Sequence, residues 1–226
     1  MSKLYLIPTP IGNLEDITLR ALRVLKEVGV ILAEDTRTTG KLLKHYGIET
    51  RMESHHAFNE HQKAGQIAIR ILKGETMALV TDAGTPSISD PGYLLVNACL
   101  EKGAKVECLP GATALIPALV NSGFPSDKFC FEGFLPHKKG RKTLISNLAN
   151  EKRTIILYES PHRILRTLTD LKQVMGNQRK CSVSRELSKV YEETIRGNLA
   201  GLLDHFSQNK PRGEMVIVIA AKGYDT

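Results

Sequence analysis

Residues 76–109 read TMALVTDAGTPSISDPGYLLVNACLEKGAKVECL and contain the alternation that decides the fold class. The apolar runs 76–80 and 105–109 have the length and composition of buried strands, and the apolar pattern over 91–102 predicts a helix. Residues 81–90 are mostly Gly, Pro, Ser, Thr and Asp, and they form a longer loop than a tight turn needs. The stretch therefore predicts a strand–helix–strand unit with a long polar loop at the carboxyl end of its first strand.

The same alternation runs through both halves of the chain. In the first half, the predicted strands are 3–7, 28–33, 76–80 and 105–109, and the predicted helices are 17–27, 38–46, 60–73, 91–102 and 112–120. After a Gly-, Pro- and Ser-containing linker at 121–129, further strands are predicted at 129–134, 153–159, 180–186 and 214–221, with helices between them. We therefore expect an α/β fold with mostly parallel sheets and right-handed crossovers, divided into domains 1–122 and 123–226.

Composition restricts the class of protein. The chain has 226 residues with a net charge of +7, which permits a nucleic-acid partner without requiring one. Its amino terminus lacks the pattern of a signal peptide, and no apolar stretch approaches the length of about 20 residues that crosses a bilayer. The four cysteines include no CxxC pair, and the histidines form no HExxH motif. We expect a cytoplasmic protein with reduced thiols, no membrane association and no bound metal.

Four loops of unusual composition follow predicted strands, at 8–13, 33–41, 81–92 and 109–115. In open α/β sheets, ligands bind beyond the carboxyl ends of the strands. Each loop alone could be a tight connection, but together they predict a cleft lined mainly by backbone groups. Such a cleft suits a neutral or zwitterionic ligand such as a nucleoside, and the absence of GxxxxGK[ST] and GxGxxG motifs argues against P-loop and dinucleotide sites.

Charged residues recur at the ends of predicted strands. The acids are Glu34, Asp35, Glu132, Glu159, Glu186 and Glu214, and cations near them are Arg37, Arg163, Arg185, Lys189 and Arg212. A single charge at a strand end is often a cap or a solvated edge, but the recurrence indicates a polar cleft.

A basic run, HKKGRK, occupies residues 137–142. A charge run is usually a solvated helix face, but these cations could also neutralise backbone phosphates of RNA. We therefore predict Lys138, Lys139 and Arg141 as RNA-binding residues. Aromatic residues make up only 5% of the chain and there is no Trp, which argues against a base-stacking platform of the RRM type.

Nine sequence blocks occur in order between residues 4 and 219. They are LYLIPTPIGNLEDIT, AEDTRTTGKLL, SHHAFNE, LVTDAGTPSISDPG, LPGATALIPALVNSG, FEGFLP, LYESPHR, RELSKVYEE and RGEMVIVI. In these blocks the chain resembles the bacterial 16S rRNA (cytidine 2′-O)-methyltransferases of the tetrapyrrole (corrin/porphyrin) methylase superfamily. The resemblance spans nearly the whole chain.

The resemblance implies an S-adenosylmethionine (SAM)-dependent methyltransferase of the tetrapyrrole-methylase fold, with the cofactor cleft between two α/β domains. The first domain would carry the cofactor loop, and the second would complete the SAM site and contact RNA. The implied reaction is 2′-O-methylation of a cytidine in the decoding region of 16S rRNA. The implied partners are 16S rRNA or the 30S subunit and a second copy of the chain in a homodimer.

Carried onto this sequence, the superfamily pattern implies a set of SAM-binding residues. They are Pro10, Ile11, Asp82, Gly84, Thr85, Ser87, Ile88, Thr113, Ala114, Tyr158, Leu187 and Glu214. One departure concerns the cofactor loop, since this sequence reads Gly84-Thr85-Pro86 where corrin-modifying relatives read GDP.

Methyl transfer to a ribose hydroxyl needs a proton acceptor and a cation near the developing oxyanion. We expect Glu34, Asp35 or Glu159 to accept the proton, and Arg37 or Lys189 to stabilise the charge. Two other interpretations stay open: a methyltransferase for a small tetrapyrrole or corrin precursor, and a non-catalytic RNA-binding module. The presence of Glu34, Asp35 and Arg37 favours an enzyme, and the GTP loop favours the RNA substrate.

Overall fold

The structure is a computed structural model that describes residues 3–224. The chain divides into two compact units, the first ending at Thr113 and the second beginning at Ala114. Each unit is built around one five-stranded sheet with helices packed against it. The predicted α/β fold with two sheets is confirmed.

The first unit alternates strands and helices. Its elements are β1 (Leu4–Leu6), α1 (Leu19–Glu27), β2 (Val30–Ala33), α2 (Thr36–His45), β3 (Met52–Ser54), α3 (Ala57–Leu72), β4 (Met77–Val80), α4 (Tyr93–Glu101) and β5 (Val106–Cys108). The strands are parallel in the order β3-β2-β4-β1-β5, so all their carboxyl ends lie at the same edge of the sheet. The sequence prediction missed β3, whose three residues are only half-buried and too few to show a period.

Two central strands, β2 and β4, are buried on both faces. Successive side chains of a strand point to opposite faces, and here they divide between two apolar clusters. Ile31 and Val80 belong to the cluster that packs on α1 and α2, whereas Leu32 and Leu79 belong to the cluster that packs on α3 and α4. This packing on both sides fixes the strand ends from which the loops emerge.

The second unit begins with a helix and ends with a strand. Its elements are α5 (Leu115–Ser122), β6 (Phe129–Phe134), α6 (Arg141–Leu148), β7 (Thr154–Glu159), α7 (Ile164–Met175), β8 (Lys180–Arg185), β9 (Glu193–Asn198), α8 (Leu199–Gln208) and β10 (Met215–Ile219). The strand order is β6-β7-β10-β8-β9. The expectation of a mostly parallel sheet is wrong here, because β10 pairs antiparallel with β7 and β8, and β9 pairs antiparallel with β8. Strand β9 was missed because none of its residues is fully buried, half of them are exposed, and they carry no alternating apolar pattern.

The boundary between the units precedes α5, whereas the sequence placed the boundary after this helix, at 122/123. Helix α5 packs on β8 and β10 of the second unit. In addition, the guanidinium of Arg196 on β9 donates two hydrogen bonds to the carbonyl of Asn121 in α5. The apolar run at 112–120, which we interpreted as the end of the first domain, therefore contributes a helix that packs on the sheet of the second unit. Within residues 3–224, no helix combines the length and apolar character that crossing a membrane requires.

Candidate active site

Three of the predicted loops are joined by hydrogen bonds at the carboxyl edge of the first sheet. The backbone N–H of Thr9 donates to the carbonyl of Gly84, and the N–H of Gly84 donates to the carbonyl of Thr9, both at 2.9 Å. The hydroxyl of Thr85 donates to the carbonyl of Ala112 at 3.1 Å. The loops after β1, β4 and β5 therefore lie together, since these three strands are neighbours in the sheet.

Close packing between these loops requires glycine at two positions. A Cβ atom at Gly111 would lie 2.7 Å from Cβ of Pro8, so the glycine allows the backbone of the last loop to pack directly against the ring of Pro8 in the first. Gly84 has φ +88°, a left-handed conformation that favours glycine, and a Cβ there would contact Ile11 at 3.6 Å. The predicted cofactor residues Ile11, Gly84 and Thr85 are thus brought to one place.

The loop after Gly84 has an unusual backbone. Ser87 and Ser89 have φ of +73° and +65°, which non-glycine residues adopt at a cost of about 1–3 kcal/mol each. The side-chain oxygen of Ser87 is buried and has no hydrogen-bond partner among the described residues. Such strain and unsatisfied polarity are typical of functional loops. The predicted residue Ile88 lies in this loop, and its N–H donates to the carbonyl of Thr85.

Three carboxylates meet where β2 and β4 end. The hydroxyl of Thr81 donates to Glu34 at 2.5 Å, and the N–H of Asp82 donates to the same carboxylate at 3.3 Å. Asp82 in turn accepts a hydrogen bond of 3.2 Å from the N–H of Asp35. Asp35 also caps α2 by accepting from the N–H of Arg37, and its carboxylate pairs with the Arg37 guanidinium at 2.6 Å. Glu34, Asp35 and Arg37 are therefore neighbours at the carboxyl edge of the first sheet.

The surroundings of Asp35 and Asp82 shift the pKa values of these two acids in opposite directions. Hydrogen bonds from the side chain and backbone of Arg37 lower the pKa of Asp35 to about 2. Partial burial raises the pKa of Asp82, and the negative charge of Glu34 adds to the shift. Asp35 is therefore a weak base and Asp82 a stronger one, so Asp35 is a poor choice for the proton acceptor that we predicted.

A cavity of about 250 Å³ opens beside this cluster in the first unit. Its lining includes Thr9, Pro10, Thr38, Thr39, Lys41, Thr81 and Asp82. The hydroxyl of Thr39 is buried, and no residue within 3–224 bonds to it. Thr39 and Lys41 lie in the predicted loop 33–41, but the sequence analysis did not single them out within the segment TRTTGK.

The second unit gathers its predicted cofactor residues at one edge of its own sheet. Tyr158 is near the end of β7, Leu187 follows β8, and Glu214 precedes β10, whose opposite direction brings its beginning beside those two strand ends. Tyr158 packs edge-on against Phe131 and Phe134, with ring centroids 4.9 and 5.7 Å apart. Thr113 and Ala114 lie at the junction of the units, half-buried and just before α5.

Lys189 is held by carboxylates at this second edge. Its ammonium lies 3.0 Å from Glu186 and 3.3 Å from Glu214. Burial lowers the pKa of Lys189, but the hydrogen bond to Glu186 and the charge of Glu214 outweigh burial and raise it above the usual value. Lys189 is therefore protonated, and much of its charge is offset by neighbours of the same unit.

Glu159 departs from the predicted role of proton acceptor. Its side chain is 1% exposed. The hydroxyl of Thr167 donates to it at 2.5 Å, the N–H of Ser160 donates at 2.8 Å, and Arg163 lies 3.4 Å away. These contacts use both carboxylate oxygens inside the unit, so Glu159 stabilises the turn between β7 and α7.

The basic run also divides into two kinds of residue. Lys138 and Lys139 are exposed in the loop before α6. Arg141 is 3% exposed, and its guanidinium donates to Asp170 at 2.7 Å, to Thr167 at 2.8 Å and to the carbonyl of Pro136 at 3.3 Å. The prediction of Arg141 as an RNA contact is therefore wrong, because its hydrogen-bond donors hold α6 and α7 together.

The histidine cluster of the first unit was considered as a metal site and rejected in the prediction, and its best-buried member is His55. His55 is fully buried with a ring nitrogen 3.7 Å from Glu60, and it belongs to the core of the first unit. Residues 3–224 contain no group of three His, Cys, Asp or Glu side chains that could hold a metal ion.

A family model described as tetrapyrrole (corrin/porphyrin) methylases matches residues 3–203. The chain therefore belongs to the tetrapyrrole methylase family, as the ordered blocks predicted.

Curated relatives narrow the comparison within that family. The chain is 51% identical to the ribosomal RNA small subunit methyltransferase I of Synechocystis sp., over 97% of this chain and 79% of that protein. It is 45% identical to the protein of the same name from Thermotoga maritima, over 98% of this chain and all of that protein.

Solved structures agree on the fold. A diphthine synthase superposes with a TM-score of 0.75 at 13% identity, covering 99% of this chain and 92% of that one. The cobalt precorrin-4 methyltransferase CbiF superposes with a TM-score of 0.70 at 19% identity, covering 96% and 94%. A uroporphyrin-III C-methyltransferase from Thermus thermophilus was solved in complex with S-adenyl homocysteine. It superposes with a TM-score of 0.64 at 19% identity, covering 96% of this chain and 97% of that one. At these identities the likeness concerns the fold alone.

Proposed function

We propose that the protein is a SAM-dependent methyltransferase that methylates the 2′-hydroxyl of a cytidine in the decoding region of 16S rRNA. The observation that carries the proposal is the joining of the loops after β1, β4 and β5, in a chain about half identical to proteins named ribosomal RNA small subunit methyltransferase I. The acceptor would be 16S rRNA, free or within the 30S subunit, which is why we expect a cytoplasmic enzyme.

The residues of the joined loops fit SAM in their chemistry. They offer backbone amides and hydroxyls rather than a cluster of cations, and the buried hydroxyl of Ser87 lacks a partner among the described residues. In the first unit we propose contacts to SAM from Pro10, Ile11, Gly84, Thr85, Ser87, Ile88 and Thr113. In the second unit we propose contacts from Ala114, Tyr158, Leu187 and Glu214. When bound, SAM supplies an activated methyl group on a sulfonium.

For RNA we propose the exposed Lys138 and Lys139, which could neutralise phosphates near the acceptor nucleotide. Lys142 is also exposed and extends the same basic segment, whereas Arg141 serves the fold. Arg37, whose side chain is 88% exposed, is the remaining candidate for stabilising negative charge in the first unit.

We also propose a homodimer, on the resemblance to the superfamily alone. Light scattering coupled to size exclusion would measure a mass of twice 25.0 kDa for the dimer.

The alternatives have less support. A tetrapyrrole or corrin substrate is suggested by the description of the whole family and by structural neighbours at 19% identity, whereas relatives near 50% identity carry the ribosomal RNA name. A non-catalytic RNA-binding module would not need an acidic cluster beside a cavity.

The proposal is tested with SAM carrying a tritiated methyl group. Purified protein is incubated with 30S subunits or naked 16S rRNA from cells that lack this activity, and the RNA is hydrolysed with alkali. A 2′-O-methyl group blocks cleavage at its nucleotide, so label in an alkali-resistant cytidine dinucleotide is the expected result. Label on a nucleobase, or label only on a tetrapyrrole precursor supplied in parallel, would reject the proposal.

A further inference from the structure

The cavity beside the acidic cluster contains a polar group that the fold does not satisfy. Thr39 lies in the first half of α2 and is 3% exposed, and its buried hydroxyl has no hydrogen-bond partner within residues 3–224. Buried polar groups are nearly always bonded, so the unpartnered hydroxyl of a residue that lines a cavity can complete its hydrogen bonding with a ligand atom once the lining side chains adjust to the ligand. Thr39 thus provides evidence for a ligand that is independent of the acids.

The cavity lining carries opposite charges in addition to this hydroxyl. Asp82 lies on one side at the end of β4, and Lys41 extends from α2 with an exposed side chain. Lys41 forms no ion pair with any residue of the described range 3–224, whereas Arg37 on the same helix is paired with Asp35. A carboxylate, a hydroxyl and an unpaired ammonium match a nucleotide, since its ribose offers hydroxyls and its phosphate offers negative charge.

Among the acids considered as proton acceptors, the structure leaves Asp82 the most accessible to a ligand in the cavity. Glu34 is engaged by Thr81, Asp35 by Arg37, and Glu159 by Thr167 inside the second unit. Asp82 is exposed, lines the cavity and accepts a hydrogen bond of 3.2 Å from the N–H of Asp35. This contact orients the carboxylate and leaves it accessible to a ligand in the cavity.

We propose that the acceptor nucleotide binds in this cavity, that Asp82 is the catalytic base for its 2′-hydroxyl, and that Thr39 and Lys41 position its sugar and phosphate. This inference rests on the proposed function and reassigns Asp82 from SAM binding to catalysis. As the hydroxyl oxygen forms its bond to the methyl carbon, the carbon–sulfur bond breaks and its electron pair stays on the sulfur. The hydroxyl proton goes to Asp82, which later releases it to water.

The electrostatic surroundings support this role. Burial and the charges of Glu34 and Asp35 raise the pKa of Asp82, while the N–H of Asp35 and the charge of Arg37 lower it less strongly. Lys41 also faces the cavity and would stabilise the ionised form. A carboxylate with a raised pKa is a better proton acceptor near neutral pH than an ordinary one.

The test is single-turnover methyl transfer to rRNA, comparing Asp82→Asn with Glu34→Gln and Asp35→Asn. General base catalysis contributes about 10²- to 10⁴-fold, so we expect Asp82→Asn to lower the rate constant by that factor while SAM affinity changes less than threefold. The wild-type rate should fall as pH drops through the raised pKa of Asp82, and this dependence should vanish in Asp82→Asn. Asp82→Glu keeps the charge but moves it, and it serves as a second variant if the first fails to fold.

Thr39→Val tests the positioning role, with Ser182→Ala as its control. Both remove a buried hydroxyl without a partner, but Ser182 lies in β8 of the second unit. We expect Thr39→Val to raise the KM for RNA about fivefold or more, in the range of one lost hydrogen bond, with a smaller change in kcat. Ser182→Ala should leave the KM unchanged.

The outcomes separate this inference from the proposed function. Methylation by the wild type with an Asp82→Asn rate within tenfold of it would overturn the catalytic role and leave the proposed function standing. A larger loss in Asp35→Asn than in Asp82→Asn would also overturn it. If the wild type transfers no methyl group to rRNA while still binding SAM, the proposed function fails and this inference fails with it.

Discussion

Both units end their strands in carboxylates, but the two sheet edges use them differently. At the first edge, Asp82 is exposed beside a cavity, and the hydroxyls of Thr39 and Ser87 are buried without a partner in the described chain. At the second edge, Glu159 is buried under Thr167 and Ser160, and Glu186 accepts from Lys189 and from the N–H of Glu214. The comparison shows that an acid at a strand end indicates chemistry only where the fold leaves its oxygens accessible.

The largest expected difference between the edges is in stability. Glu159→Ala would leave Arg163 and the hydroxyl of Thr167 without their buried partner, so we expect the free energy of unfolding to fall by about 3 kcal/mol or more. Glu34→Ala removes a half-buried acid and should cost about 1 kcal/mol. Urea denaturation of both variants measures the two values. Equal losses in the free energy of unfolding would show that Glu34 contributes as much to stability as Glu159 does.

A smaller stability effect is expected in the strained loop of the first edge. Gly92 has φ +139°, and a Cβ there would lie 2.5 Å from the hydroxyl oxygen of Ser87 and 2.9 Å from Cδ2 of Leu79. We expect Gly92→Ala to lower the free energy of unfolding by about 2–3 kcal/mol. Gly103→Ala is the control, because its φ of +75° is also strained but its Cβ would meet open space. The control should cost only about 1 kcal/mol, and a similar loss in both would rule out the contact with Ser87 as the cause.

Within the basic run 137–142, the exposed lysines and the buried Arg141 should differ in their effect on the salt dependence of RNA binding. Replacing Lys138 and Lys139 by Ala should flatten the slope of log K against log salt for RNA binding by about 1.4, or roughly 0.7 per lost phosphate contact on a single strand. Stability should stay within about 0.5 kcal/mol, because both side chains are exposed. Arg141→Met should show the reverse, with lower stability and an unchanged slope. A change of slope in Arg141→Met would contradict its structural role.

The smallest expected effect concerns Asp35. Its pKa is lowered in the folded protein to about 2, against about 3.9 in an unfolded chain. Its contribution to stability is therefore fully present above the unfolded pKa and is lost as pH falls from about 5 through 2. Urea midpoints measured across that interval should fall more steeply for the wild type than for Asp35→Asn. Parallel curves would mean that the exposed pair with Arg37 contributes nothing measurable.

Local pattern was enough to predict most of the fold. The apolar runs at β2, β4, β7 and β10 are buried on one or both faces, so the sequence carried their signal directly. The family, the methyltransferase class and the use of SAM followed from the ordered blocks, and the comparisons confirm them. Direction of pairing was not predictable in the second unit, because an apolar strand such as β10 reads the same in parallel and antiparallel sheets.

The candidate site was predicted in its loops but not in the roles of its charges. The loops after β1, β4 and β5 were identified by their Gly, Pro and hydroxyl content, and the structure joins them. Burial of Arg141 and Glu159 depends on Asp170 and Thr167 in α7, which are distant in sequence and have no pattern that pairs them. The importance of Thr39 lies in a missing hydrogen bond, and that is visible only in three dimensions.

The place of β10 in its sheet has a consequence for biosynthesis. In the chain β10 follows the other four strands of the second sheet, yet it lies between β7 and β8 at the centre of that sheet. During synthesis the first unit can assemble before the second unit is translated, while the edges of β7 and β8 stay unpaired until the segment 215–219 leaves the ribosome. Slow translation between β8 and β10 should therefore prolong the exposure of unpaired strand edges and recruit chaperones.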